Sequence, residues 1–481
     1  MSIGRNVISA TLAVSLVACG GGDASPPIAG PNPTPSPTTT SSACSLSARQ
    51  DFAFSVLDEW YLFPDLLDRT VNKANHNSVQ SYLDALVAPA RAQNFDKGFT
   101  FITSIQAEND LINNGSSAGF GIRLGYDTVI NRVFILEAFE NAPAFPQGFD
   151  RGVEIISVGT NAASLESIAT IMASGGPQAV IDRLGASTAG LQRTFVIRQV
   201  NGTETQVTVA KADFSLDAVS DRYGALVIND GGKLVGYVNL RTFIVADAAT
   251  DLRAAFQDFR NQGVTEIILD FRYNGGGLVS IAELMGDLMG RGDVGDLFSR
   301  TVLRPSKASE NRSRVFQTES GSIEPTKIAV IARGGTASAS ELVANAMIPY
   351  VGNNMALVGS NTSGKPVGQF GFDLDACDDR IRAVTFKTDN ADGNGEYFDG
   401  LASVFPNTCQ ANDDIFNQLG DPNEASVAKA LEFLRTGAAT CTPIAGGGVQ
   451  GTQSVGSRQA ERVLLQPDDP TPVQREIPGL F

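Results

Sequence analysis

The chain runs to 481 residues, 42% of them apolar, enough for more than one core-forming unit. Its net charge is −16. So acidic a balance argues against nucleic acid as a partner, because phosphate backbones call for basic patches, and it leaves the fold open.

The first segment, "MSIGRNVISATLAVSLVACGGGD", carries one early positive charge, Arg5, and then an apolar run ending at Cys19. The run is too short for a membrane-spanning helix and reads as a secretory signal over 1–18. Its "LVAC" is similar to a bacterial lipobox, which implies cleavage before Cys19 and a lipid on that thiol. The plainer alternative is an ordinary signal peptide with an incidental cysteine. Gly20 beside Cys19 points to the outer membrane of the cell envelope, with the folded part on its periplasmic or extracellular face. Residues 19–43, rich in Pro, Thr and Ser, cannot bury a core and read as a semi-extended tether. Export permits disulfides, and four cysteines follow Cys19. Of the three possible pairings we expect Cys377 with Cys409 and Cys44 with Cys441.

From 44 to 114 the pattern is helical, with Phe52, Val56 and Trp60 at i, i+4 and i+8. From 115 to 214 come short alternating runs, "RVFILEA", "VEIISV", "RTFVIRQV" and "TQVTVA". One helical piece, "LESIATIMASGG", interrupts them and is expected to stop on its glycines. From 215 to 441 strand and helix alternate: "KLVGYVNL", "ADAATDLRAAFQDFRNQG", "VTEIILDF", "LVSIAELMGDLMG", "KIAVIA", "SELVANAM", "MALVGS". This predicts an α/β unit with a parallel sheet. Residues 442–481 show little pattern beyond "RVLL" and read as a disordered tail.

Ligands of such sheets bind beyond the carboxyl ends of strands, and three ends stand out. "LDFRYNGGGL" places Gly275, Gly276 and Gly277 between strand and helix, either as an anion-facing loop or as a tight turn. "IARGGTASASEL" places Ser338 and Ser340 where a strand turns into a helix. A serine there presents its hydroxyl above the sheet, yet Ser338-Ala-Ser-Glu341 is also a capping-box pattern. "VGSNTSGKPVGQF" places Lys365 past a third strand, with Gln369 four residues on. The one histidine, His76, sits far away in "NKANHNSVQ". The base available to a nucleophilic serine is therefore a lysine whose pKa is lowered by burial.

At "LDFRYNGGG", "GTASASE" and "GKPVGQ", in that order, the chain resembles the C-terminal processing peptidases, also called tail-specific proteases. The resemblance implies an α/β catalytic core of the ClpP/crotonase type, with an inserted small β-rich PDZ-like domain and an N-terminal helical segment. It implies Ser338 as nucleophile, Lys365 as base and Gln369 as its support. The oxyanion donors would be the amides of Ala339 and Gly276. "SAGFGIRL" resembles the start of the PDZ-like domain, where the amides of Phe120, Gly121 and Ile122 would cradle a peptide's terminal carboxylate. Against the usual pattern, the stretch from Ser338 to Lys365 is about two residues longer, with "IPYVGNN" as the extra loop. Pro366 replaces a glycine, Pro406-Asn407 stands where Pro-Asp is usual, and "RGVE" (151–154) replaces a Gly-Asp turn.

The expected function is a lipid-anchored serine endopeptidase with a Ser–Lys dyad, acting on proteins or peptides engaged at their C-termini. Its alternative is a non-catalytic adaptor that binds C-terminal tails. No metal or cofactor is expected, the membrane is reached through the N-terminal lipid, and oligomeric state is left open. The last residues, "REIPGLF", end in the apolar pair Leu480-Phe481, the kind of tail a PDZ groove accepts, as an autoinhibitor or as a segment to be trimmed.

Overall fold

The computed structural model describes residues 42–445 and 462–481. The signal segment, Cys19 and the tether up to residue 41 lie outside the described residues. The α/β expectation is realised in a six-stranded sheet ordered Ala225–Asp230, Lys233–Asn239, Glu266–Asp270, Lys327–Ala332, Met355–Gly359, Thr408–Gln410. Its first pair is antiparallel and every other pair is parallel.

The near-continuous apolar runs follow from cover on both faces. Ile267, Leu269, Ile328, Val330 and Leu357 point to one side, into a core shared with the helices Ala248–Asn261, Val279–Met289 and Ala339–Val351. Ile268, Ala329, Ile331, Ala356 and Val358 point to the other, against the helix Ala425–Thr436. Odd and even positions of each strand thus feed two separate cores, as the period of two requires.

A five-stranded sheet foreseen by none of the sequence patterns joins Phe101–Ser104, Asp379–Asp389, Leu297–Leu303 and Arg312–Val315, with Val367–Leu374 also paired to Asp379–Asp389. The N-terminal helices pack on it. Ala53, Val56 and Leu57 of Leu46–Trp60, with Leu83 and Leu86 of Val79–Leu86, meet Val367, Ile381 and Val384.

The β-rich unit is an antiparallel sheet of Ile122–Asp127, Arg132–Ala138, Glu154–Gly159, Gln192–Arg198 and Glu204–Ala210. Its helix does not stop at the glycines. Gly176 breaks it with φ +66°, but Pro177, favoured in a first turn, restarts it, and it runs on to Leu184.

The expectation of a disordered tail is corrected for residues 462–481. Val463–Leu464 pairs antiparallel with Ile122–Asp127, Pro472–Glu476 is a short helix, and Leu480 pairs with Arg123. Leu465 and Phe481 are buried in the core of the β-rich unit. Sequence composition undervalues this segment because its few apolar residues acquire a core only through a partner sheet.

The cysteine pairing is corrected as well. Cys44 joins Cys377 and Cys409 joins Cys441. Cys377 lies on the turn between Val367–Leu374 and Asp379–Asp389, facing the start of the first helix. Cys409 belongs to the edge strand of the other sheet, beside the end of Ala425–Thr436. The expected partners therefore sit on different sheets. A non-reducing peptide map is expected to recover these two pairs. Replacing both Cys44 and Cys377 by Ala is expected to cost about 2–4 kcal/mol in urea unfolding.

Candidate active site

The three loops singled out above leave adjacent parallel strands at the same sheet edge. Ser338 stands where Lys327–Ala332 turns into Ala339–Val351, with φ +57° and ψ −114°. An L-residue adopts that conformation only when its surroundings impose it, and such a turn lifts a side-chain oxygen off the sheet. Ser338 is the N-cap of that helix and is half-buried. Ser340 is fully buried and donates to Asn274 O at 3.3 Å. Ser340 is thus structural, and Ser338 is the serine on offer. The residues of "IPYVGNN" lengthen the far end of the helix and lead into the turn Gly352–Asn354, leaving the start at Ser338 undisturbed.

Glu341 imposes the strain. Its fully buried carboxylate accepts from four donors: Thr362 Oγ1 (2.6 Å) and Gly364 N–H (2.8 Å) on Oε1, Ser338 N–H (2.9 Å) and Lys365 N–H (2.8 Å) on Oε2. One oxygen therefore holds the main chain of both Ser338 and Lys365. Burial raises the Glu341 pKa, while these hydrogen bonds pull the other way. The sequence displayed this residue only as the last letter of a capping box; its grip on the lysine loop, 24 residues away, had no local signature.

Lys365 Nζ donates to Gln369 Oε1 at 2.9 Å and lies 5.0 Å from the centre of the Phe99 ring. The Gln369 amide donates in turn to Phe99 O, which fixes its orientation. A register shift between Gly368 and Gln369 locally re-aims the strand that carries it. Lys365 as a whole is half-buried, but its amine end is enclosed. That burial pushes its pKa below the ordinary lysine value, with Glu476, Asp96 and Glu341 pulling it partly back. Among the described residues, no hydrogen bond joins Lys365 Nζ to Ser338 Oγ in this conformation.

Gly276 has φ +119°, and a Cβ there would come within 2.7 Å of Ser338 Cβ and 3.2 Å of Ala339 N. It sits where expected, but as a donor it is corrected: its N–H already serves Asn274 Oδ1 at 2.9 Å. Ala339 N–H, first in its helix, has no carbonyl of the preceding turn to serve. Asn274 went unnoticed in the sequence. Its side chain also donates to Leu240 O (2.7 Å), and its carbonyl accepts Ala337 N–H (3.0 Å), tying the glycine loop to the serine loop. Beneath the loop, the fully buried Arg272 forks onto Glu424 (2.9 and 2.8 Å) and meets Asp270 (2.9 Å).

In the β-rich unit, Gly121 N–H (2.8 Å) and Ile122 N–H (3.2 Å) both donate to Phe481 O. Gly121 has φ +75°, and a Cβ there would lie 1.9 Å from Ala142 Cβ, so only glycine turns the amides this way. Among the described residues Phe120 N–H does not join them at Phe481 O; its carbonyl accepts from Ala144 N–H (3.1 Å), and its ring lies 4.9 Å from Lys211 Nζ.

Substituting Glu341→Gln turns an NH₂ toward at least one pair of buried donors. Urea unfolding is expected to show a loss of about 2–4 kcal/mol, since each orphaned buried donor costs about 1–3 kcal/mol.

Residues 234–401 match the model of peptidase family S41. A chloroplastic carboxyl-terminal-processing peptidase of Arabidopsis thaliana is 26% identical over 258 residues, 52% of this chain and 46% of that protein. A carboxyl-terminal-processing protease of Synechocystis sp. is 26% identical over 340 residues, 66% of this chain and 70% of that protein. The chain spans about half the length of the first curated relatives it matches. A solved chain described as an S41 protease of Bacteroides fragilis superposes with a TM-score of 0.62 at 21% identity, over 80% of this chain and 97% of that one, and shares the fold. The residues that match the family model hold all three strand-end loops, in family order.

Proposed function

We propose that this chain is a serine endopeptidase of the C-terminal processing type, with a ClpP/crotonase-type core, a PDZ-like domain at 115–214 and a Ser338–Lys365 dyad. The observation that carries the reading is the shared Glu341 oxygen, which gathers the main chain of the serine and the lysine at one sheet edge. Neutral Lys365 takes the proton of Ser338 as Oγ attacks the scissile carbonyl. Ala339 N–H stabilises the developing oxyanion. Lysine then protonates the leaving amine, and water clears the acyl-enzyme. Gln369 keeps the amine oriented throughout. Substrates are proteins or peptides whose C-termini add to Ile122–Asp127 and seat their last carbonyl at Gly121 and Ile122. Two disulfides among the described residues fit an exported protein, in keeping with a signal at 1–18, a lipid on Cys19 and a place in the cell envelope.

Ser338→Ala is expected to lower kcat/KM on an unstructured protein substrate by about 10⁴-fold or more, with far-UV circular dichroism unchanged. Equal turnover would leave the tail-binding adaptor as the reading.

The pH profile follows from the lysine. Neutral amine is the active form, so kcat/KM is expected to rise with pH. Because burial depresses the Lys365 pKa, the inflection belongs below the ordinary lysine value of about 10.4. Lys365→Ala is expected to abolish that limb together with the activity. An inflection at or above the ordinary value would remove lysine from the role of base.

A further inference from the structure

The groove beside Ile122–Asp127 and the cleft over the glycine loop are filled by the same stretch of chain. Residues 463–465 run antiparallel to Ile122–Asp127, with Leu465 N–H donating to Leu124 O at 2.9 Å. The segment leaves that edge, forms the helix Pro472–Glu476, and rejoins the edge at its end. There Leu124 N–H donates to Gly479 O (2.9 Å), Phe481 N–H to Ile122 O (2.9 Å), and Gly121 and Ile122 N–H to Phe481 O. Between the two passes it crosses the catalytic loops. Gly275 N–H donates to Glu476 O at 3.1 Å. A Cβ on Gly275 would meet Arg475 O at 2.6 Å and Pro478 Cδ at 3.1 Å. Leu464 reaches the serine loop, where a Cβ on Gly335 would lie 2.6 Å from its Cδ1. Internal bonds brace the excursion: Gln474 Nε2 to Leu480 O (2.8 Å), Gln466 Nε2 to Gln474 O (2.8 Å) and Gly479 N–H to Gln466 Oε1 (2.8 Å).

We propose that residues 462–481 are a tethered pseudo-substrate that occupies the peptide groove and the catalytic cleft together, so that the resting chain is closed to polypeptides ending in a comparable apolar pair. This rests on the peptidase reading for what the cleft does, but the occupancy stands on the contacts themselves. The segment makes the main-chain contacts a substrate would make: strand addition at the groove, the Phe481 carbonyl on two amides, and a backbone carbonyl on the glycine loop beside Ser338. It also brings the Glu476 carboxylate near Lys365, which favours the ammonium and therefore the form that cannot act as base. A tethered ligand acts at an effective concentration on the order of millimolar, so a free peptide of the same sequence is displaced unless it is far more concentrated or far tighter.

The test uses Ser338→Ala protein, in which no turnover intervenes. A fluorescein-labelled peptide of residues 472–481 is titrated against the full chain and against the chain ending at 461, with anisotropy as readout. The shortened chain is expected to bind at least tenfold more tightly, and the same peptide with an amidated end to bind it more weakly. Because Leu465 and Phe481 are core residues, a second variant keeps the tail but carries Leu480→Asp and Phe481→Asp. It too is expected to bind the labelled peptide more tightly than the full chain. Equal binding by all three proteins overturns the proposal. With Ser338 restored, the shortened chain is expected to cleave a peptide ending in Leu-Phe at least tenfold faster. Opened binding with no cleavage by any chain would leave the occupancy standing and overturn the peptidase reading alone.

Discussion

The arrangement at the sheet edge depends on one buried carboxylate. Glu341 has no cation to neutralise it among its hydrogen-bond partners; it is satisfied by four donors, three of them main-chain amides. Burying a carboxylate is expensive unless every lone pair is used, so the four donors must arrive together or the turn does not form. The cooperativity explains how a serine is kept at φ +57° without glycine. The strain at Ser338 is offset by hydrogen bonds to the charged group that also places the lysine loop, and neither loop can shift without stranding the other's amide.

A second buried cluster supports the floor. Arg272 and Asp413 connect the strand end at Asp270 to Glu424, which accepts from Ser426 and Val427 N–H at the start of the last core helix. Arg151 of the β-rich unit reaches the same Asp413 at 2.6 Å. The departure "RGVE" at 151–154 thus puts a guanidinium where the two units meet. Desolvated ions of this kind fix geometry more than they add stability, since removing one partner leaves the other buried and unpaired.

Much of this was legible in the residues. The parallel core was readable because strands covered on both faces are apolar throughout, and helices of this length betray a 3.6 period. The sheet of Val367–Leu374 and Asp379–Asp389 was not, because half-covered strands such as "VGQFGFDL" mix glycine, acid and aromatic without a clean alternation. Ser338, Lys365 and Gln369 could be singled out because their segments follow core strands in family order. Asn274 and the lysine-loop role of Glu341 were not, because their work is done across long sequence separations by main-chain groups, which carry no letter. The cysteine pairing failed for a related reason: four cysteines fix a parity, and only topology decides which sulfurs are neighbours.

The strand Ile122–Asp127 pairs on one side with Arg132–Ala138 and on the other with residues 463–465 and 479–481. Without that cover its outer N–H and C=O groups would form an open sheet margin, the feature through which unrelated chains most readily associate. The margin is short, and Gly125 along it lowers its hold on any particular register. The tail is therefore also a guard against unintended pairing, and any ligand that displaces it has to take over the covering of that margin for as long as it stays.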